Sequence, residues 1–181
     1  MKDKPEVIKE DLEQEDYFNT EQIETYFEDY SSLIGAFIIK FNELEHEVNI
    51  SIAKIMFDDD DSEGYRIVKF LNFFNKVEFF HEKYLERVIG MGGDNKEKDK
   101  ETLKRIKKDL DEVRVFRNKL VHANWNTLTE DGFVRTKIES NKEEGNIQFV
   151  KVKMSQEIIK GFIERLDLTL EFFYGLDDFF V

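Results

Sequence analysis

Val113-Arg114-Val115-Phe116-Arg117-Asn118-Lys119-Leu120-Val121-His122-Ala123-Asn124-Trp125 reads as the closing turns of a long helix. Leu110, Val113, Phe116, Leu120 and Val121 supply a buried side, and Asn124-Trp125-Asn126 breaks the pattern. Arg114, Asn118 and His122 step by four, so they drift only about 40° per step and share one face. Arg117 lies about 140° around the helix from His122. A long guanidinium reaches across that angle.

The rest of the chain supports a helical reading. Among 181 residues there are 18 Phe, 9 Gly and a single Pro, which favours long helices packed through large rings. Residues 1–18 are acidic and lack a clean period, and they read as a tail or a loosely docked short helix. The domain proper then covers 19–181. Helix one starts near Asn19 or Thr20. Ile23, Phe27, Tyr30, Leu33, Ile34, Phe37, Ile38, Phe41, Leu44, Val48, Ile52 and Ile55 carry its apolar face to about Phe57, with Gly35 as a weak point. Asp58-Asp59-Asp60-Asp61 is a loop that charges the next helix start. It lacks the spacing of a calcium loop.

Helix two spans about Ser62 to Ile89 and ends at Gly90-Met91-Gly92-Gly93, a flexible turn without the strand and Lys-Ser/Thr of a phosphate loop. Helix three spans about Asn95 to Ala123. Its first half is nearly all charged, which suits a solvated or projecting segment. Residues 132–138 and 146–152 alternate in polarity around a polar turn and form a β-hairpin. Ser155 with Glu157 opens a last helix through about Phe179. The expected fold is all-α: a bundle of four long helices with a β-hairpin at about 132–152 between helices three and four.

Charge narrows the function. The net charge is −13, which argues against an open nucleic-acid face. The charge is uneven: residues 94–122 hold 10 basic and 7 acidic side chains, whereas residues 1–30 hold 3 basic and 11 acidic. Cysteine is absent, so thiolate chemistry is excluded and a cytoplasmic setting is expected. No segment approaches a membrane span. The three histidines show no HxxxH or HxxE clustering, so no metal or other cofactor is expected.

Arg117 and His122 suit RNA cleavage by 2′-OH attack. That reaction needs a base, an acid and a cation for the phosphate. Histidine titrates in the right range for either proton role, and arginine grips two phosphate oxygens at once. One histidine does not easily serve as acid and base together. A two-fold dimer supplies the second copy. The same residues also suit a purely structural role, with His122 facing the helix dipole and Arg117 or Asn118 paired with Asp109, Asp111 or Glu112.

Phe116-Arg117-Asn118-Lys119-Leu120-Val121-His122 resembles the R-N-x-x-x-H form of the R-x(4–6)-H motif of HEPN domains. The resemblance covers roughly residues 20–181, and only the motif is specific. It implies an all-helical bundle that dimerises with paired motifs at the interface. It also implies metal-independent endoribonuclease activity of the kind found in toxin–antitoxin, abortive-infection and CRISPR systems. Arg117 and His122 would then be catalytic, with Asn118 as the polar residue after the arginine. An antitoxin or other regulatory protein is a further expected partner.

Arg114, Lys119 and Trp125 are weaker candidates for RNA contact, and Glu45 is a candidate to orient Arg117. Glu43, His46 and Glu47 lie near Glu45 on the same helix, and His81 reads as a core-edge residue. The alternative functional reading is a non-catalytic helical module that binds a partner protein or a nucleotide.

Overall fold

The computed structural model describes residues 5–11, 20–56, 61–91, 95–140 and 147–176. Helices dominate: α1 (Thr20–Met56), α2 (Asp61–Val68), α3 (Phe73–Met91), α4 (Lys96–His122) and α5 (Gln156–Tyr174). A small antiparallel sheet joins β1 (Val7–Asp11), β2 (Phe133–Ser140) and β3 (Ile147–Lys153) in the order β1-β3-β2. Among the described residues no helix is long and apolar enough to cross a membrane.

Two expectations change. The segment read as an acidic tail or short helix contributes a strand. Val7 and Ile8 are β-branched, and β1 pairs along the free edge of β3 from Val7↔Val152 to Asp11↔Gln148. The hairpin is therefore part of a three-stranded sheet, and an all-α description omits it. The expected second helix is two helices. Asn72 interrupts it: its Oδ1 accepts from the Asn75 backbone N–H at 2.9 Å and its carbonyl from the Lys76 N–H at 3.0 Å, so it caps a new helix. Of the two readings of the charged first half of α4, solvated or projecting, the solvated one fits: Glu97, Lys98, Glu101, Lys104 and Arg105 are exposed while Leu103 and Ile106 are buried. The acidic loop at 58–60, the glycines at 92–93 and the hairpin turn at 141–146 lie outside the described residues.

The chain divides into two compact units, Met1–Ile38 with Phe116–Ile163, and Ile39–Val115 with Glu164–Val181. In the first, Phe116 stacks on Phe162 at 3.8 Å with planes 5° apart and meets Phe37 edge-on at 5.3 Å. Those rings bind α4, α5 and α1 together there. Val134, Val150, Val152 and Met154 are buried from the sheet side. Gly132, at φ 80°, turns the chain into β2. Ser155 caps α5, its Oγ accepting from the Ile158 N–H at 3.4 Å.

The second unit has its own core, with Leu44, Val48, Ile52, Val77, Phe80, Leu110 and Leu166 fully buried. Phe80 meets Phe173 at 5.1 Å, and Phe41 meets Phe73 at 4.9 Å. Ion pairs cross between its helices: Lys76 with Glu45, Lys107 with Glu78, Lys40 with Asp167 and Arg165 with Glu112. Lys76 is only 5% exposed, and the Glu45 carboxylate at 2.5 Å partners its ammonium.

Helix α2 approaches α1 at Gly64. A Cβ there would lie 2.6 Å from Ala53 Cα and 2.7 Å from Ala53 Cβ. Gly64→Ala should therefore lower the unfolding free energy by about 1–3 kcal/mol, even though helix propensity alone favours alanine by about 1 kcal/mol. Urea unfolding followed by far-UV circular dichroism reads the change. A raised midpoint would mean that α2 does not rest on Ala53.

Candidate functional site

The motif occupies the last turns of α4 within the first unit. His122 is the final residue of the helix and is exposed. Asn118, one turn back on the same face, is exposed as well. Arg117 and Lys119 are half-buried. The Arg117 Nη1 donates to Asn118 Oδ1 at 3.4 Å, a long contact that joins the cation to the neighbouring amide.

The helix end is held by residues that follow it. The last four carbonyls of any helix lack a partner within the helix. Here Trp125 Nε1 donates to the Leu120 carbonyl at 2.9 Å. The Trp125 ring lies 5.8 Å from the Tyr30 ring. Burial pushes the Tyr30 hydroxyl above its ordinary range, and the Glu157 carboxylate pushes it further in the same direction. Beyond Trp125, Thr127 Oγ1 donates to the Asn124 carbonyl at 2.7 Å and accepts from the Arg135 N–H at 2.8 Å. The Asn124 N–H donates to the Arg135 carbonyl at 2.7 Å. The chain two residues past His122 is thus sewn to strand β2.

Of the expected set, Arg117, Asn118, Lys119, His122 and Trp125 lie together in the first unit. Trp125 acts as a structural cap through its indole N–H. Arg114 and Glu45 belong to the second unit. Arg114 donates from Nη2 and Nε to Asp111 Oδ1 at 3.1 and 3.2 Å, and its guanidinium lies 5.1 Å from the Phe74 ring centre. Glu45, expected to orient Arg117, accepts from the buried Lys76 ammonium instead. His81 is also in the second unit. Burial first, and the Lys107 ammonium second, hold its imidazole below the usual histidine range, with Glu78 opposing them. It is a half-buried residue at the edge of the core. Among the described residues, no group of three or more His, Asp or Glu side chains has an arrangement able to hold a metal ion.

Two residues were not picked out by the motif. Tyr30 sits far upstream in α1 and is drawn to the site by its contact with Trp125. Arg135 lies in a strand whose role the motif does not address. Its alternation with Val134 was the signal that it faces away from the core. No protein-family model, no curated protein and no solved structure matches this chain.

Trp125→Phe keeps a ring beside Tyr30 and removes the donor to Leu120. It should cost about 1 kcal/mol and lower the melting temperature by about 2–4 °C. Calorimetry measures this. An unchanged melting temperature would show that the indole N–H does not hold the helix end.

Proposed function

We propose that this chain is a HEPN-type endoribonuclease that cuts RNA without a metal ion. It acts as a homodimer whose site combines Arg117 and His122 from both protomers. Its helices serve as the bundle scaffold of such an enzyme. It works in the cytoplasm as a toxin or antiphage-defence effector, restrained by an antitoxin or other regulatory protein.

The observation that carries the reading is the exposure of His122 at the last position of a helix. One turn behind it stands an exposed amide, and that amide contacts the Arg117 guanidinium. An imidazole held on a packed helix, at an end sewn to a sheet, is accessible to a substrate and limited in its motion.

In the reaction, the ribose 2′-oxygen attacks the adjacent phosphorus while the bond from phosphorus to the 5′-oxygen breaks. One His122 accepts the 2′-hydroxyl proton, and the second His122 supplies a proton to the departing 5′-oxygen. The two Arg117 side chains hold the non-bridging oxygens as charge gathers there. The products carry a 2′,3′-cyclic phosphate and a 5′-hydroxyl.

Arg117→Ala and His122→Ala should each reduce cleavage by at least about 100-fold and relieve growth arrest on expression. A substrate with a 2′-deoxyribose at the cut position should remain whole. Cleavage is assayed in EDTA across about pH 5 to 8, where histidine changes charge. Intact RNA throughout that range would overturn the reading in favour of a non-catalytic interaction module. A monomeric mass at the concentration that gives cleavage would overturn the composite site.

A further inference from the structure

Among the described residues, the sheet of the first unit ends at β2 with no further strand beside it. Asn124 bridges the outer edge of β2 only at Arg135. The hydrogen bonds show which way the rest of that edge faces. Successive residues of an antiparallel strand bond alternately to the neighbours on either side. The Lys153 N–H donates to the Glu6 carbonyl at 2.8 Å, so every second residue of β3, Phe149 and Ile147 included, turns its backbone groups away from β2. Ile138 stands opposite Phe149, and Ser140 stands opposite Ile147. The backbone N–H and C=O of Ile138 and Ser140 therefore point to the open edge.

An open edge is a template for another strand, and a lysine on it ordinarily keeps other strands away. Here the lysine has a counterpart beside it. Lys137 and Glu139 lie on one face of the sheet, two residues apart, and pair with each other. Lys9 of β1 reaches the same carboxylate at 2.9 Å. The bond from Lys137 first, and that from Lys9 second, pull the Glu139 carboxyl down to about 2. Ile138, between Lys137 and Glu139, lies on the other face and is 65% exposed. Ile147 shares that face and is 51% exposed.

This stretch is complementary to itself. We propose that the outer edge of β2, from Thr136 to Ser140, pairs antiparallel with the same edge of a second copy about a two-fold axis at Ile138. Each Ile138 N–H donates to the partner's Ile138 carbonyl. The two isoleucine side chains stand about 5.5 Å apart at Cβ and cover one another. On the opposite face each Lys137 meets the partner's Glu139. Registers centred on Lys137 or on Glu139 would set like charges opposite each other, so charge selects the one centred on Ile138. The result is a continuous six-stranded sheet, built from two copies of the order β1-β3-β2. The contact uses the same surface on both copies and closes on itself. It goes beyond the ribonuclease reading, since it uses neither Arg117 nor His122.

Analytical ultracentrifugation of the full chain over a range of concentrations tests it. Lys137→Glu and Glu139→Lys each place like charges across the axis. Each should weaken self-association at least about tenfold and halve the mass of the particle where the parent is paired. Mixed one to one, the two variants should recover the parent's mass, because the carboxylates of one then face the ammonium groups of the other. Ile138→Lys, at a position 65% exposed, should also halve the mass without disturbing the fold. Should a charge variant alter the circular dichroism spectrum, Ile138→Lys decides.

The readout is mass relative to the parent, so a second contact elsewhere on the chain does not obscure it. A parent that sediments as a single chain throughout, or an Ile138→Lys variant of the parent's mass, overturns the proposal. So does a mixture of folded charge variants that fails to recover that mass. Cleavage is scored separately. Pairing through β2 in a chain that cuts no RNA would overturn the ribonuclease reading and leave the edge contact standing. Cleavage by a chain whose edge variants keep the parent's mass would overturn the edge contact alone.

Discussion

The Leu120 carbonyl is where the motif's geometry is settled. A helix that ends in solvent frays, because its last carbonyls exchange with water and the terminal side chains lose their direction. Trp125 Nε1 donates to that carbonyl from beyond the helix end. The donor is itself fixed by the neighbouring Tyr30 ring, and the following residues are fixed by the exchange of hydrogen bonds among Asn124, Thr127 and Arg135. His122 is thereby exposed without being loose. In the proposed reaction, a histidine on a frayed end would spend most of its time out of position for proton transfer, and such misplacement is costly in rate.

The rotation of α4 about its own axis has a separate cause. Phe116 stacks on Phe162 and meets Phe37, which sets which side of this part of the helix faces inward. Arg117 follows by about 100° of rotation, so it emerges at the margin of the buried side. That explains why Arg117 is half-buried while Asn118 and His122 are exposed. The stem of Arg117 can lie along apolar surface while its head reaches outward. One aromatic residue thus aims the motif, and the cap beyond the helix holds it.

Much of this was legible in the chain because it depends on local rules. The three- and four-residue spacing marks α1, α4 and α5. Ser155 marks the start of α5, and the alternation of residues 132–138 and 146–152 marks β2 and β3. The misreadings share a physical origin in tertiary choice. Val7-Ile8 is too short and too highly charged in its flanks to declare a strand, and it becomes one because β3 offers an unpaired edge. Asn72 sits in a run of apolar residues that continue the helical period. Only the cap it makes, to Asn75 and Lys76, shows that the chain restarts there. Glu45 looked available as an orienting carboxylate because nothing in the spacing reveals Lys76 buried opposite it. The Arg117–Asn118–His122 trio could be found by pattern, whereas Tyr30 and Arg135 required the fold.

Electrostatics changes the meaning of the charge counted along the sequence. Residues 94–122 carry a net charge of +3 and would be the first place to seek an RNA contact. In the structure, many of those cations already face carboxylates: Lys100 pairs with Glu97, Lys107 with Glu78, Lys108 with Glu112 and Arg114 with Asp111. A cation beside a carboxylate attracts phosphate weakly, since releasing it from one anion offsets the gain from the other. With a screening length of about 8 Å at physiological salt, the distant acidic residues neither help nor prevent a close contact. What an anion would meet is set by the charge within that distance of it. The positive balance of residues 94–122 is therefore met in large part by the protein's own carboxylates, which a count along the sequence does not reveal.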